Sequence, residues 1–570
     1  MQRHLQHLAA HPYDVLIVGG GIYGACMAWE AVSRGLSVAL VEQGDFGAAT
    51  SANSLKIIHG GLRYLQHADF KRMRESICER RNLLRIAPHL VHPLPILVPT
   101  YGHGVKGREA MAIALKLNDI ISCDRNWAVP DPAQQIPAGR VISAATCLEA
   151  LPGLDPDGLT GGATFADAQV YNSERLTLAF LQSASAAGAQ VANYARVTGF
   201  LREGDRLAGA TVRDELSGAE LTVRARLIIN TAGPWIHRLQ DLAGQGQGQG
   251  QGDRPMLLAK AVNLVVPRFI EHYAVGLSSR HAADDPDAVV KKGSRFLFTV
   301  PWRDASMVGT WYFPYRQSPD DVSVTPAELQ TCIDDINAAY PAAQLSLADI
   351  TFVHCGLLPS SGIAPQTGEV QLAKHYQVID RRHHGLPGLV TVAGVKYTTA
   401  RDVAEKVINQ VGRWLDRPLA PSQTAQTPLH GGNLDDLNQF IQRTQARYAP
   451  HLSAATVQQL VYTYGTDSTH LLAQAAESAG TLSPRALLAA QVRHAVQSEM
   501  AYHLADVVLR RTDLGSAGVP PQADIELCAE VMAQALGWDG AQRQAEVQQL
   551  AALYRQKLPT CPPQPLTSGV

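Results

Sequence analysis

At 570 residues the chain exceeds the ~250–300 at which a single hydrophobic core stops growing, so two or three domains are expected. Its 49 basic and 51 acidic residues leave a net charge of -2, which supplies no electrostatic drive toward nucleic acid. The eight cysteines, at 26, 78, 123, 147, 332, 355, 528 and 561, form no C-x-x-C pair and no Cys/His zinc spacing, which points to reduced thiols and a cytoplasmic protein without a disulfide framework.

The opening residues MQRHLQHLAAHP lack the apolar core of an export signal, and no run of ~18 apolar residues occurs later, so no membrane span is expected. From Tyr13 the stretch YDVLIVGGGIYGACMAWEAVSRGLSVALVEQGD reads as strand, glycine turn, helix and strand. Its glycines fall as Gly19-x-Gly21-x-x-Gly24: the first for the tight turn, the second for close approach of a pyrophosphate, the third for packing of helix on strand. The phosphates then meet the helix N-terminus, and Glu42, closing the second strand, stands where a carboxylate accepts from the adenosine ribose. This motif alone leaves NAD and FAD both open.

The next segment, GDFGAATSANSLKIIHGGLRYL, is rich in small and hydroxyl residues, so backbone can lie close along an extended cofactor. Phe70, Met73, Ile77, Leu84 and Ile86 then follow helical spacing. Residues 104–122 read as an amphipathic helix with Lys106, Arg108 and Lys116 near an apolar face, suited either to a membrane interface or to ordinary packing. A helix at SERLTLAFLQSASAAG leads into AQVANYARVTGF as a strand, and a β-rich stretch runs on to NTAGPW. The tract GQGQGQGQG at 244–252 should be a surface loop. GLVTVAGVKYTTARDVAEKVI gives an apolar strand, a glycine turn and a helix, whose N-terminus near Lys396 to Thr399 would stabilise negative charge. After the Pro/Gly-rich linker 415–432 come helical segments such as SAATVQQLVYTYG and SPRALLAAQVRHAVQSEMAYHLADVVLRRTDLG.

These segments resemble the FAD-dependent glycerol-3-phosphate dehydrogenase/oxidase family, within the D-amino-acid-oxidase-like flavoproteins. The family's SSKLIHGGLRYL, ATGPW and GGKLTTYR elements match Ser54 to Tyr64, Ala232 to Trp235 and Gly394 to Arg401, and LADVVLRRTDLG has a counterpart in its helical C-terminal part. The resemblance implies an α/β fold with a glutathione-reductase-type FAD-binding domain (12–80, 150–240, 355–415), a β-rich substrate domain (81–149, 255–354) and a helical domain (430–560). It places FAD against Gly19, Gly21, Gly24 and Glu42, along Thr50, Ser51, Ser54, Gly60 and Gly61, and beside Val197, Gly233, Gly394, Lys396, Tyr397 and Thr398. His59 becomes the candidate base for a hydroxyl proton, with Arg63 and Lys396 holding or polarising substrate oxygens, because hydride transfer to flavin needs a base and positive charge over the ring. Arg63, Tyr64, Asn263, Tyr312 and Leu358 are the candidate substrate contacts.

On the substrate side the pattern departs from the family. Its GVRPL, whose arginine clamps the substrate phosphate, reads Gly356-Leu357-Leu358-Pro359-Ser360; KGSHIV reads Lys260-Ala261-Val262-Asn263-Leu264-Val265; GTTD reads Gly309-Thr310-Trp311-Tyr312. An aliphatic Leu358 cannot replace a bidentate guanidinium, so the expected substrate is a small molecule other than glycerol 3-phosphate, unless Lys260 or another basic residue substitutes. Trp311, Tyr312, Phe313 and Tyr315 form an aromatic cluster, read either as packing or as a pocket lining. An amine as substrate, or a degenerate flavin protein acting through its helical domain, stays open. So do quinone and oxygen as electron acceptor, a homodimer, and peripheral contact with the inner face of the cytoplasmic membrane.

Overall fold

The computed structural model describes residues 1–104, 107–244, 257–282, 294–364 and 368–558; the Gly/Gln tract lies outside them beyond its first residue, as does Lys106. Strand Tyr13–Val18 is buried almost throughout and sits centrally in the first sheet. It pairs in parallel with Val38–Val41 on one side and Glu220–Asn230 on the other. Leu389–Ala393 and Gln190–Ala192 extend the sheet, again in parallel. Strands buried on both faces read as continuous apolar runs, which is what VLIV and VALV are. Helices Ile22–Ser33, Ser173–Ala186 and Ala400–Trp414 pack together over one face through Cys26, Ala28, Phe180, Val403 and Val407.

The second sheet runs in the order Val370–Leu372, Phe352–Ile363, Leu258–Pro267, Ala305–Tyr315, Ser294–Trp302, Ala274–Ala282, Val91–Tyr101, Leu159–Val170 and Ile57–Ile58. Leu258–Pro267 lies between Ala305–Tyr315 and Phe352–Ile363, antiparallel to both, so Asn263 faces His354 and Ala259 faces Leu358. Among the described residues six substantial helices follow the linker, from Leu437–Tyr448 to Gly540–Lys557. The α/β body with a helical C-terminal region is therefore present.

Two elements differ from the sequence reading. AQVANYARVTGF is not one strand: Tyr194 takes φ 51° and donates to Asp506 at 2.6 Å, so Gln190–Ala192 joins the first sheet while Ala195–Glu203 turns off to pair with Arg206–Asp214. The long C-terminal helical segment stops at Met500, which adopts φ 56°. It restarts at Leu504, where the Asp506 carboxylate accepts from the Tyr502 and His503 N–H groups. Local capping by a buried carboxylate outweighs the helix propensity of the apolar run.

Arg108–Ile121 is helical, with Leu115 buried, while Ile113 (63%), Leu117 (46%) and Ile120 (70%) stay exposed on one stripe beside Lys116. No helix among the described residues is long and apolar enough to cross a membrane.

Candidate active site

A cavity of about 1000 Å³ runs from the glycine turn, past the segment 47–59, to the second sheet. At its start, a Cβ on Gly24 would lie 1.9 Å from the Gly19 carbonyl oxygen, and Gly19 itself has φ 109°. The turn thus brings the N-terminus of helix Ile22–Ser33 to the cavity, where the Ile22 N–H donates to Ser51 Oγ at 3.0 Å. Glu42 lines the same end and accepts from the Gly20 and Gly44 N–H groups at 2.7 and 3.0 Å. Burial raises its pKa, with those two backbone bonds opposing the rise. A turn with no side chains, a helix N-terminus and an acceptor carboxylate are the donor set a dinucleotide requires, so these residues fit one.

Along the middle, Thr50, Ser51, Ser54, Val197 and Gly233 line the wall, and Gly394, Lys396 and Tyr397 face it from the second glycine turn. That turn is held by Tyr23, whose hydroxyl donates to the Lys396 carbonyl at 2.9 Å and accepts from the Val395 N–H at 3.2 Å. Sequence reading missed Tyr23 because it sits inside the glycine motif without being part of it. Gly24, Gly60, Gly61 and Thr398 stand behind the lining: Thr398 Oγ1 accepts from the His59 N–H at 3.3 Å, and the Gly60 N–H donates to Asp167 Oδ1 at 2.6 Å.

His59 lines the cavity with Nδ1 3.7 Å from Asp167 Oδ2. Asp167 is buried and also accepts from Arg80 Nη1 at 2.5 Å. Burial opposes its ionisation, yet His59, Arg80 and the Gly60 N–H together hold its carboxyl below the usual range. Asp167 thus sets a negative charge beside the Nδ1 side of the His59 ring. Neither Asp167 nor Arg80 carries a motif. Lys396 Nζ lies 4.1 Å from the centre of the Tyr64 ring, and burial brings its pKa down to about 8, helped by Arg72. Arg63 is exposed and, with Tyr64, lies outside the lining.

At the far end stand Asn263, Thr310, Tyr312 and Leu358. Thr310 Oγ1 donates to Asn263 Oδ1 at 2.7 Å. The aromatic cluster is split by strand alternation: Tyr312 lines the cavity, whereas Trp311 is buried and donates its Nε1–H to Asp335 at 3.0 Å. Phe313 and Tyr315 are not in the lining. Lys260 is likewise outside it and paired with Glu328 at 2.8 Å.

Comparison with known proteins gives a consistent answer. The family described as "FAD dependent oxidoreductase" matches residues 14–401, and the "C-terminal domain of alpha-glycerophosphate oxidase" matches 422–543. A glycerol-3-phosphate dehydrogenase of Synechocystis sp. is 32% identical over 523 residues, covering 90% of each chain. The human mitochondrial glycerol-3-phosphate dehydrogenase is 30% identical, covering 94% of this chain and 72% of its own. The crystal structure of the Bacillus halodurans glycerol-3-phosphate dehydrogenase complexed with FAD shares the fold at a TM-score of 0.75 and 23% identity, over 97% of this chain and 96% of that one.

The 1.9 Å approach at Gly24 leaves no room for any side chain, and its partner is backbone that cannot yield without opening the turn. Gly24→Ala is expected to cut the flavin content of the purified protein to under about a tenth of wild type, because phosphate binding depends on that turn. Absorbance at 450 nm against protein concentration measures it, and full occupancy would show that the turn adapts.

Proposed function

The chain belongs to the FAD-dependent glycerol-3-phosphate dehydrogenase family, and from that premise we propose that it oxidises a hydroxyl group of a small molecule other than glycerol 3-phosphate. FAD, when bound, supplies the hydride acceptor. The observation that carries the reading is the His59–Asp167 contact at the cavity wall, with Arg80 keeping Asp167 ionised. It favours His59 as the group that takes the hydroxyl proton, at Nε2, while Asp167 stabilises the imidazolium from the Nδ1 side. Lys396, held over Tyr64 with no carboxylate in ion-pair contact among the described residues, adds the positive charge that steadies the developing alkoxide. An amine needs no base of this kind once deprotonated, so the dyad favours an alcohol.

The choice against glycerol 3-phosphate rests on the far end. Leu358 there offers no charge, and elsewhere along the cavity Arg196 and Arg238, the arginines among the described lining residues, are paired with Glu215 and Asp320.

His59→Ala should leave FAD bound and slow flavin reduction by the true substrate ~10²–10⁴-fold, the usual size of general-base loss. Stopped-flow reduction at the wild-type rate would remove His59 from the role. For the substrate, kcat/KM for glycerol 3-phosphate is expected below ~10⁴ M⁻¹s⁻¹, the low edge of the ordinary enzyme range. For a phosphate placed at position 358, loss of the buried partner there costs on the order of 2–5 kcal/mol. A panel of other polyols, hydroxy acids and amines is the comparison. Glycerol 3-phosphate outperforming all of them above that value would reverse the reading.

The stripe Ile113, Leu117 and Ile120, with Lys116 beside it and Trp127 (68% exposed) beyond the helix end, suits a lipid surface and so favours a membrane-dissolved quinone over oxygen as acceptor. Vesicles containing anionic lipid should sediment the wild-type protein and leave a variant carrying Ile113→Glu, Leu117→Glu and Ile120→Glu in the supernatant. Equal sedimentation would sink the membrane assignment.

A further inference from the structure

The cavity holds a cation that comes from the far end of the chain. Lys557, in the last turn of helix Gly540–Lys557, lines it together with Leu553 and Gln556. Its Nζ has Asn53 Oδ1 at 3.3 Å and the Phe352 ring centre at 5.3 Å. Both neighbours are neutral. Burial brings the Lys557 pKa down to about 8, so the ammonium form still dominates at neutral pH. Other cations of the lining are already neutralised: Lys56 by Glu174 at 2.9 Å, Arg196 by Glu215 at 3.1 Å and Arg238 by Asp320 at 2.5 Å. Lys396, the remaining lysine or arginine among the described lining residues, belongs to the His59 end and rests on Tyr64.

Lys557 is also seated against strand Phe352–Ile363, beside its first residue. Cys355, which feels its charge, and Leu358 both line the cavity from strand Phe352–Ile363. Lys260, the nearer basic residue in that sheet, is paired with Leu357 in register but its ammonium is taken by Glu328 and the Ser323 carbonyl, each at 2.8 Å. A poorly solvated ammonium with no counter-charge among the described residues is unfavourable until an anion joins it. The helix's own C-terminal carbonyls offset this in part.

We propose that Lys557 is an anion-recognising residue of this cavity, taking a phosphate or carboxylate group of the substrate. The proposal rests on the reading of the protein as an alcohol-oxidising flavoenzyme and narrows its substrate to a hydroxyl compound that carries an oxyanion. Because the charge enters from the C-terminal helix, the spacing it sets between oxyanion and oxidised carbon is its own, and glycerol 3-phosphate need not match it. An oxyanion within reach has a second source, the diphosphate of FAD, and the test separates the two.

The FAD-loaded full-length protein is titrated calorimetrically with inorganic phosphate at constant ionic strength, as wild type, Lys557→Met and Lys557→Arg. Phosphate affinity is expected to fall at least tenfold in Lys557→Met and to stay within threefold in Lys557→Arg, with FAD affinity unchanged in both. Equal phosphate binding by wild type and Lys557→Met, or no binding by wild type, overturns the proposal. So does a Lys557→Met protein that loses FAD while its remaining holoenzyme binds phosphate normally, which would give the ammonium to the cofactor. Phosphate binding of the expected pattern in a protein whose flavin no alcohol reduces would leave this assignment standing and remove the functional reading instead.

Discussion

The arrangement depends on one buried carboxylate. Asp45, just past Glu42 at the edge of the cofactor turn, is bonded to Arg511 Nη2 at 2.7 Å and Nη1 at 2.9 Å and to Arg510 Nε at 2.5 Å. Burial would raise its pKa, but the two arginines drive it down to about 2. Arg511 is itself fully enclosed, and Arg510 also pairs with Asp506 at 2.7 Å. Removing one partner from such a set strands an unpaired charge and costs about 3–5 kcal/mol. A second pair, Arg175 with Glu499 at 2.8 Å, ties the same helical region to helix Ser173–Ala186. Since the folded pKa of Asp45 lies below its ordinary value, the stability this network lends is present above that ordinary value and fades only as the pH falls toward about 2.

These ion pairs fix the helical region in direction as well as in place. An apolar contact between two domains tolerates sliding, whereas a guanidinium bonded through two nitrogens to one carboxylate does not. With Arg510 and Arg511 anchored beside the cofactor turn, the later helices are led back across the molecule, and Gly540–Lys557 reaches the cavity wall, where Gln556 donates to the Val322 carbonyl at 3.4 Å. The C-terminal region is thereby part of the site's enclosure rather than an appendage to it.

What the sequence made legible was local. Gly19, Gly21, Gly24 and Glu42 share one strand–turn–helix–strand unit, and His59 and Lys396 each sit in a recognisable glycine-bounded run. What it hid was the pairing of distant residues. Asp167 reaches Gly60 across 107 positions and Lys557 reaches Asn53 across 504, and neither has a neighbour in sequence that marks it. The aromatic run around Trp311 misleads for a different reason: successive residues of a strand face opposite ways, so proximity in sequence puts Trp311 in the core and Tyr312 in the cavity. Tyr194 and Met500 break their elements through left-handed backbone that tertiary bonds impose on residues with no preference for it.

The same geometry separates the position of the far wall from its chemistry. Strand Phe352–Ile363 is held against the cofactor segment by Thr50, whose hydroxyl donates to the Leu357 carbonyl at 2.9 Å and accepts from the Leu357 N–H at 3.1 Å. Both bonds are to backbone and are indifferent to the side chain at Leu358. Gly356 lets the strand approach, since a Cβ there would already lie 3.1 Å from the Thr50 methyl. Across the sheet, Asn263 is tied to Thr310 through side chains alone. Backbone contacts therefore carry the position of the wall, and side chains carry its chemistry. Side chains at Leu358, Asn263 and Tyr312 can thus differ without moving the strands that present them, and the cofactor's surroundings stay as they are.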